Sequence, residues 1–170
     1  MRWVISDSSV LIHLTRIGQL ILLEKIFGRI TITPIVWSEV VERGDGRFGV
    51  SEVTKARKAG WIDVVAPTND ALLRLLRREL DDGEAEAIAL AVERQADLIL
   101  LDEWEARRIA DLYGLEKTGV IGILIRSKMY GHITSLKTEL DKLRKPGGFW
   151  IDEPLYLRAL SIVGENPDAS

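Results

Sequence analysis

Four carboxylates stand where an α/β chain would put working side chains: Asp7, Glu39, Glu84 and Asp102. Asp7 closes the apolar run Arg2-Trp3-Val4-Ile5-Ser6, and Asp102 closes a second, Leu98-Ile99-Leu100-Leu101. Glu39 and Glu84 each fall in the first two turns of an expected helix. Carboxylates that converge make an oxygen-rich pocket suited to a hard divalent cation. Such a pocket points to metal-dependent cleavage of a phosphodiester, because the ion acidifies a bound water and stabilises the leaving oxygen. Crowded carboxylates also repel one another at short range, so without the ion some of their pKa values should rise.

Each acid taken alone has a plainer reading. Asp7 precedes Ser8-Ser9, and Asp is a good helix cap. Glu39 has the character of an ordinary solvated helical Glu. Glu84 in a first turn is favoured by the helix dipole. It shares a helix face with Ile88 and Ala91, whereas Glu86 is turned away by about 200°. Glu84 rather than Glu86 is therefore expected to face inward. The repetition of a strand-end Asp at 7 and 102 is what favours one shared site.

Other chemistries find less support. The chain has no cysteine, which removes thiolate metal sites and cysteine nucleophiles. The histidines are His13 and His132. His13 lies in the apolar stretch Val10–Leu14 and reads as packed, and His132 in Tyr130-Gly131-His132 reads as a turn residue. A histidine-driven ribonuclease mechanism is disfavoured. A phosphoaspartate mechanism would want Asp where Ser9 stands, and Lys117 is a weak candidate for a receiver domain's lysine. The tryptophans Trp3, Trp37, Trp61, Trp104 and Trp150 are scattered and read as packing. Trp104, beside Asp102, has base stacking as an alternative.

The elements that must position the acids follow from periodicity. Strands are expected near 2–6, 29–33, 61–65, 97–101, 116–118 and 149–151, with helices between them. A helix from 8 or 9 to 15 has a Ser as its available cap. Thr33-Pro34 opens a helix to Glu42, broken by Arg43-Gly44-Asp45-Gly46. Leu72, Leu73, Leu75, Leu76 and Leu80 give the 70–79 helix an apolar side. Asp82-Gly83 reads as punctuation before an Ala-rich helix over 84–94. Later helices cover 104–113, 120–129, 135–143 and 153–163. Alternation of this kind implies a mostly parallel sheet with helices on both faces, whose binding crevice lies beyond the carboxyl ends of the strands. Asp7 and Asp102 fall there.

At 170 residues the chain is long enough for one domain with its own core. Residues 1–164 read as that domain, 131–164 as a C-terminal extension of it, and 165–170 as a frayed tail. A net charge of −3 argues against broad, non-specific duplex binding. Basic residues cluster at Arg74, Arg77 and Arg78, and at Lys137, Lys142, Arg144 and Lys145, and read as solvated helix faces. The sequence has no apolar run of the roughly 20 residues needed to span a bilayer and no signal-peptide pattern. A cytoplasmic protein without a membrane role is expected.

Asp-Ser-Ser-Val-Leu-Ile after the first strand, Thr-Pro-x-x-x-x-Glu-Val, Gly-Glu-Ala-Glu-Ala-Ile-Ala-Leu-Ala and Asp-Leu-Ile-Leu-Leu-Asp, in this order over about residues 2–130, resemble PIN-domain proteins. The nearest likeness is to a prokaryotic branch with the Gly-Glu-Ala-Glu-Ala-Ile signature, related to VapC-type toxins. The resemblance implies a three-layer α/β/α fold around a central, mostly parallel sheet. It implies a Mg²⁺- or Mn²⁺-dependent endoribonuclease acting on single-stranded or structured RNA, as the toxin of a toxin–antitoxin pair. It further implies a small antitoxin protein as partner, and a homodimer. Catalytic and metal-binding roles carry over to Asp7, Glu39, Glu84 and Asp102, with Glu84 matched through its spacing of 18 residues to Asp102. Accessory roles carry over to Glu105 or Glu103, and to the hydroxyl of Ser8 or, less well, Ser6. The chain departs from the pattern at Leu100-Leu101, where many relatives have Thr or Ser before the last Asp, and in having Glu rather than Asp at 84. The alternative is a non-catalytic PIN-like module that binds RNA or protein.

Overall fold

A computed structural model of the protein describes residues 2–44 and 49–168. Asp45 and Gly46, half of the expected helix break, lie outside the described residues. Five short strands form the sheet: β1 (Val4–Ser6), β2 (Ile30–Ile32), β3 (Ile62–Val64), β4 (Leu98–Leu100) and β5 (Lys117–Thr118). Their order is β3-β2-β1-β4-β5, and every pairing is parallel. The chain thus leaves β1 to build one half of the sheet and returns to place β4 on its other side. Sheets of this design open a crevice at that reversal, here between the ends of β1 and β4.

Ten helical segments cover the sheet: α1 (Ser8–Arg16), α2 (Ile21–Phe27), α3 (Pro34–Trp37), α4 (Gly49–Ala59), α5 (Asp70–Leu76), α6 (Asp82–Glu93), α7 (Trp104–Leu112), α8 (Val120–Met129), α9 (Leu136–Arg144) and α10 (Glu153–Ile162). Successive strand side chains point to opposite faces, and the core divides accordingly. Val4, Leu98 and Leu100 join the layer built by α1–α4 and α8–α10. Ile5, Ile99 and Leu101 join the layer of α5, α6 and α7. The fold is a three-layer α/β/α sandwich. Ala85, Ala87, Ala89 and Ala91 are all fully buried, so small side chains let α6 lie close under the strands.

Several boundaries differ from the sequence expectation for local reasons. Asp7, not a serine, caps α1. The helix opened by Thr33-Pro34 does not run on as one α-helix: past Trp37 it widens into a π-helical turn, Ser38–Glu42, which carries Glu39. Asp82-Gly83 is no break, because α6 begins at Asp82 with Asp81 as its cap. The run 149–151 forms no strand; it has no regular secondary structure, and Phe149 and Trp150 wall a cleft beside β5. Beyond α10, Glu165 folds back to accept hydrogen bonds from the peptide N–H groups of Leu136 (2.6 Å) and Lys137 (3.0 Å), tying down the start of α9.

Candidate active site

Asp7 is the most firmly anchored acid. Its peptide N–H donates to the Leu100 carbonyl across the sheet at 3.1 Å. Its carboxylate accepts from Val10 N (3.1 Å) and from Ser9 Oγ (2.9 Å). Only 1% of the residue is exposed. Burial pushes its pKa well above the ordinary carboxylate range, against the pull of the Val10 and Ser9 hydrogen bonds. The negative charges of Asp102 and Glu84 add smaller contributions to the rise at Asp7.

Asp102 lies two residues past β4. Its Oδ1 accepts from Val120 N at the start of α8 (2.9 Å), while its Oδ2 is buried with no hydrogen-bond donor. Burial raises its pKa to about 6, with the Val120 bond and the Arg107 guanidinium pulling down and Glu103 pushing up. Gly119 makes this seat: a Cβ there would stand 2.3 Å from Asp102 Oδ1.

Glu84 sits in the first turn of α6 in a reciprocal capping box. Its N–H donates to Asp81 Oδ1 (2.8 Å), and its Oε1 accepts from Asp81 N (3.3 Å). Burial lifts its pKa to about 7, helped by the charges of Asp81 and Glu103 and opposed by the bond from the Asp81 backbone. Glu86, expected to turn outward, is also buried. It serves a different end, accepting from Ile35 N (3.1 Å) to hold the first turn of α3. Periodicity alone missed this, since α3 packs against the flank of α6 that Glu86 occupies.

Glu39 reaches the same region from the π-helical turn. Ser8 Oγ donates to its Oε2 at 2.7 Å, and its carboxylate lies over Gly83 at the start of α6. The three hydroxyls near the first Asp have separate partners. Ser8 serves Glu39, Ser9 serves the Asp7 carboxylate, and Ser6 bonds only the Asp7 main-chain oxygen (2.9 Å). Ser9 was not among the residues singled out from sequence.

These residues frame a cleft of about 380 Å³ lined by Asp7, Ser8, Ser9, Asp81, Glu84, Glu103, Trp104 and Glu105. Both expected accessory acids are thus on its wall, although Glu105 also pairs with Arg108 at 3.0 Å. Asp102 lines the adjoining cleft, with Arg107 and Lys117. His13 is packed edge-on against Phe149, 4.7 Å between ring centroids.

Among the described residues, no three acids stand close enough together to form a ready cage for one ion. The donor set still suits a hard cation. It is all oxygen, it is burdened with mutual repulsion, and it includes the unpartnered Oδ2 of Asp102. Mg²⁺ in particular keeps several waters and takes one or two carboxylates rather than a complete protein cage. Asp102 Oδ2 is a buried carboxylate oxygen that no hydrogen bond occupies.

A family model described as a PIN domain matches residues 3–165. Comparison with curated proteins gives no match. The matched range includes α9 and α10, so the segment after residue 130 lies within the family's pattern.

Proposed function

The chain belongs to the PIN-domain family, a nuclease-type fold, and from that premise we propose that it is a metal-dependent endoribonuclease, the toxin of a toxin–antitoxin pair. The observation that carries this reading is the placing of Asp7 and Asp102 at the ends of the neighbouring strands β1 and β4, with a buried oxygen of Asp102 left without a donor. Nothing in the hydrogen-bonding of the fold requires that oxygen. A bound cation would satisfy it.

Asp7 and Asp102 would be the principal ligands, and Glu84 and Glu39 would hold a second ion or orient water. Mg²⁺ or Mn²⁺ bound there supplies a Lewis acid and lowers the pKa of a coordinated water. The protein's own part is positional. Asp7 is fixed by the caps from Ser9 and Val10, Asp102 by Val120, Glu84 by Asp81 and Glu39 by Ser8. Attack of water oxygen on phosphorus breaks the bond to the 3′ oxygen, leaving a 5′-phosphate and a 3′-hydroxyl. Glu103, Glu105 and Ser8 are accessory.

The acid-lined cleft suits an antitoxin that presents a basic side chain to it, and the exposed strip Leu75, Leu112 and Tyr113 suits a homodimer. No helix among the described residues is long and apolar enough to cross a membrane. The non-catalytic alternative, a PIN-like binding module, is favoured by one observation: both Asp7 oxygens already have hydrogen-bond partners.

The deciding experiment is cleavage of end-labelled RNA by the full chain in Mn²⁺. Asp7→Asn and Asp102→Asn should each abolish cleavage while leaving the folded state intact, and the products should carry 5′-phosphates. Undiminished cleavage in both variants removes the mechanism. Metal-dependent binding of RNA without cleavage by the unaltered chain selects the binding module.

A further inference from the structure

Two tryptophans are left largely in solvent: Trp104, two residues after Asp102, and Trp150, which lines the same cleft as Asp102. Trp104 is 71% exposed on the rim of the acid cleft, and Trp150 is 80% exposed on the rim of the adjoining one. Trp is a heavily buried residue on average, so two exposed indoles beside one acid ask for a ligand. Of the five tryptophans, Trp61 is buried, and Trp3 and Trp37 are covered by the guanidinium groups of Arg94 and Arg57. Trp104 has Arg108 6.0 Å from its ring centroid and remains open.

The adjoining cleft has a volume of about 420 Å³. Phe149 and Ile121 give it an apolar wall, and Arg107 and Lys117 bring two cations against the single carboxylate of Asp102. The acid cleft, in contrast, is lined by five carboxylates and no cation. The two cations make the adjoining cleft the better seat for a phosphate when no metal ion is bound in the acid cleft. Lys117, with 20% of its side chain exposed, pairs with Asp111, whose side chain is 60% exposed and lies outside the cleft lining. Arg107 is held by the Leu101 carbonyl at 2.8 Å, which fixes its guanidinium at the cleft.

We propose that the cleft between α8 and residues 149–155 binds one unpaired nucleotide of the RNA substrate, with its base stacked on Trp150 and its phosphate toward Arg107 and Lys117, adjacent to the cleavage site. This rests on the nuclease reading and narrows its substrate to RNA whose bases are free. Indole stacking uses a base's open face and tolerates any sequence, whereas paired bases in an A-form helix are not presented this way. Trp150 is a substrate-binding residue, not a catalytic one.

The test uses the full-length Asp7→Asn protein, so that binding is read without cleavage, and a fluorescein-labelled single-stranded RNA beside the same sequence as a duplex. Adding Trp150→Ala should weaken single-strand binding roughly 5- to 150-fold, the range expected for loss of one stacked base. Trp150→Phe should restore most of it, and duplex affinity should not move. In the otherwise unaltered enzyme, Trp150→Ala should raise KM with little change in kcat. Single-strand affinity unchanged by Trp150→Ala overturns the subsite and leaves the nuclease reading standing. A change of oligomeric state in sedimentation velocity also overturns it, assigning Trp150 to a contact between copies. If the unaltered chain neither binds nor cuts RNA, the nuclease reading and the subsite fall together.

Discussion

Gly83 and Glu39 are in register across two helices: a Cβ built on Gly83 would stand 2.3 Å from Glu39 Oε1 and 3.1 Å from its Cδ. The glycine lies inside α6, in ordinary helical conformation, where Ala would be the better helix former by about 1 kcal/mol. Its presence is explained by the acid above it. Gly83→Ala should therefore leave the melting temperature unchanged or slightly higher, because the displaced group is the end of a flexible side chain. It should also lower kcat at least ten-fold by moving Glu39 off Ser8. Thermal denaturation and single-turnover cleavage of the same preparation check both halves. Loss of stability with retained activity would show that Glu39 has no part in the chemistry.

Gly119 is the corresponding seat for Asp102, with a less forgiving surround. A Cβ there meets the Asp102 carboxylate, and also the Leu101 carbonyl oxygen at 3.2 Å. Main chain cannot swing aside as Glu39 can. Gly119→Ala should lower stability as well as activity, and the contrast with Gly83→Ala is what identifies a rigid seat. Urea denaturation of the two variants side by side measures it.

Metal binding should register without any substrate. Mn²⁺ at about 100 times its Kd stabilises the folded state by roughly 2.7 kcal/mol, which for a domain of this size means a rise in Tm of about 5–10 °C. Asp102→Asn keeps an acceptor for Val120 N but removes the charge, so it should abolish most of that rise. Differential scanning calorimetry of chelator-treated protein, titrated with Mn²⁺, is the measurement. Equal shifts in the parent and in Asp102→Asn would place the ion elsewhere.

The sequence carried the centre of the sheet well because β1, β2 and β4 are short, largely apolar and fully buried runs, the mark of strands covered on both faces, whereas the edge strands β3 and β5 are only partly buried. It also carried the position of Asp7 and Asp102, since a strand's end in a parallel sheet is a topological address. It did not carry the partners of the helical acids. Glu84 and Glu86 differ by two positions on one helix, and only the packing of α3 against α6 reveals that Glu86 caps Ile35. Gly83 read as a break because nothing local says that a carboxylate from residue 39 rests on it. The run 149–151 has a strand's composition but finds no neighbour to pair with. Its place is set by the end of α9, through Phe149 N to Leu143 O (2.9 Å) and Arg144 Nη2 to Ile151 O (3.1 Å).

Glu165 should matter more than its place past the last helix suggests. Its carboxylate accepts from the N–H groups of Leu136 and Lys137 and from Ser135 Oγ (3.3 Å), at the positive end of α9. Burial acts to raise its pKa, but these hydrogen bonds and Lys128 outweigh it and leave the value below the ordinary range. Glu165→Ala should cost about 1–3 kcal/mol by leaving those donors unpaired, and Glu165→Gln considerably less. Urea midpoints at neutral pH decide between this and a surface position, where the loss would stay within about 0.5 kcal/mol.

His13 supplies a pH dependence whose sign is fixed by its surroundings. Its ring packs edge-on against Phe149, with Nδ1 buried and unpartnered. Burial, with a smaller contribution from Arg16, lowers its pKa from 6.5 to about 4. Above pH 6.5 the imidazole is neutral in both folded and unfolded chains and stability is unaffected. As pH falls from 6.5 to 4, the unfolded chain takes up a proton that the folded one refuses, so stability declines through that window and levels off below it. Full burial would give about 3 kcal/mol; the ring is partly reached by solvent, which reduces the expected loss to roughly 1–2 kcal/mol. Asp102 and Glu84 act in the opposite sense, since carboxylates with raised pKa values favour the folded state on acidification. The raw pH profile therefore mixes both slopes, and the difference between the parent and His13→Leu separates them. That difference should be flat above pH 7 and should grow in favour of His13→Leu between pH 6.5 and 4, read as urea midpoints at closely spaced pH values. Parallel profiles for the two proteins would mean that His13 takes its proton as readily folded as unfolded, and that its ring is open to water.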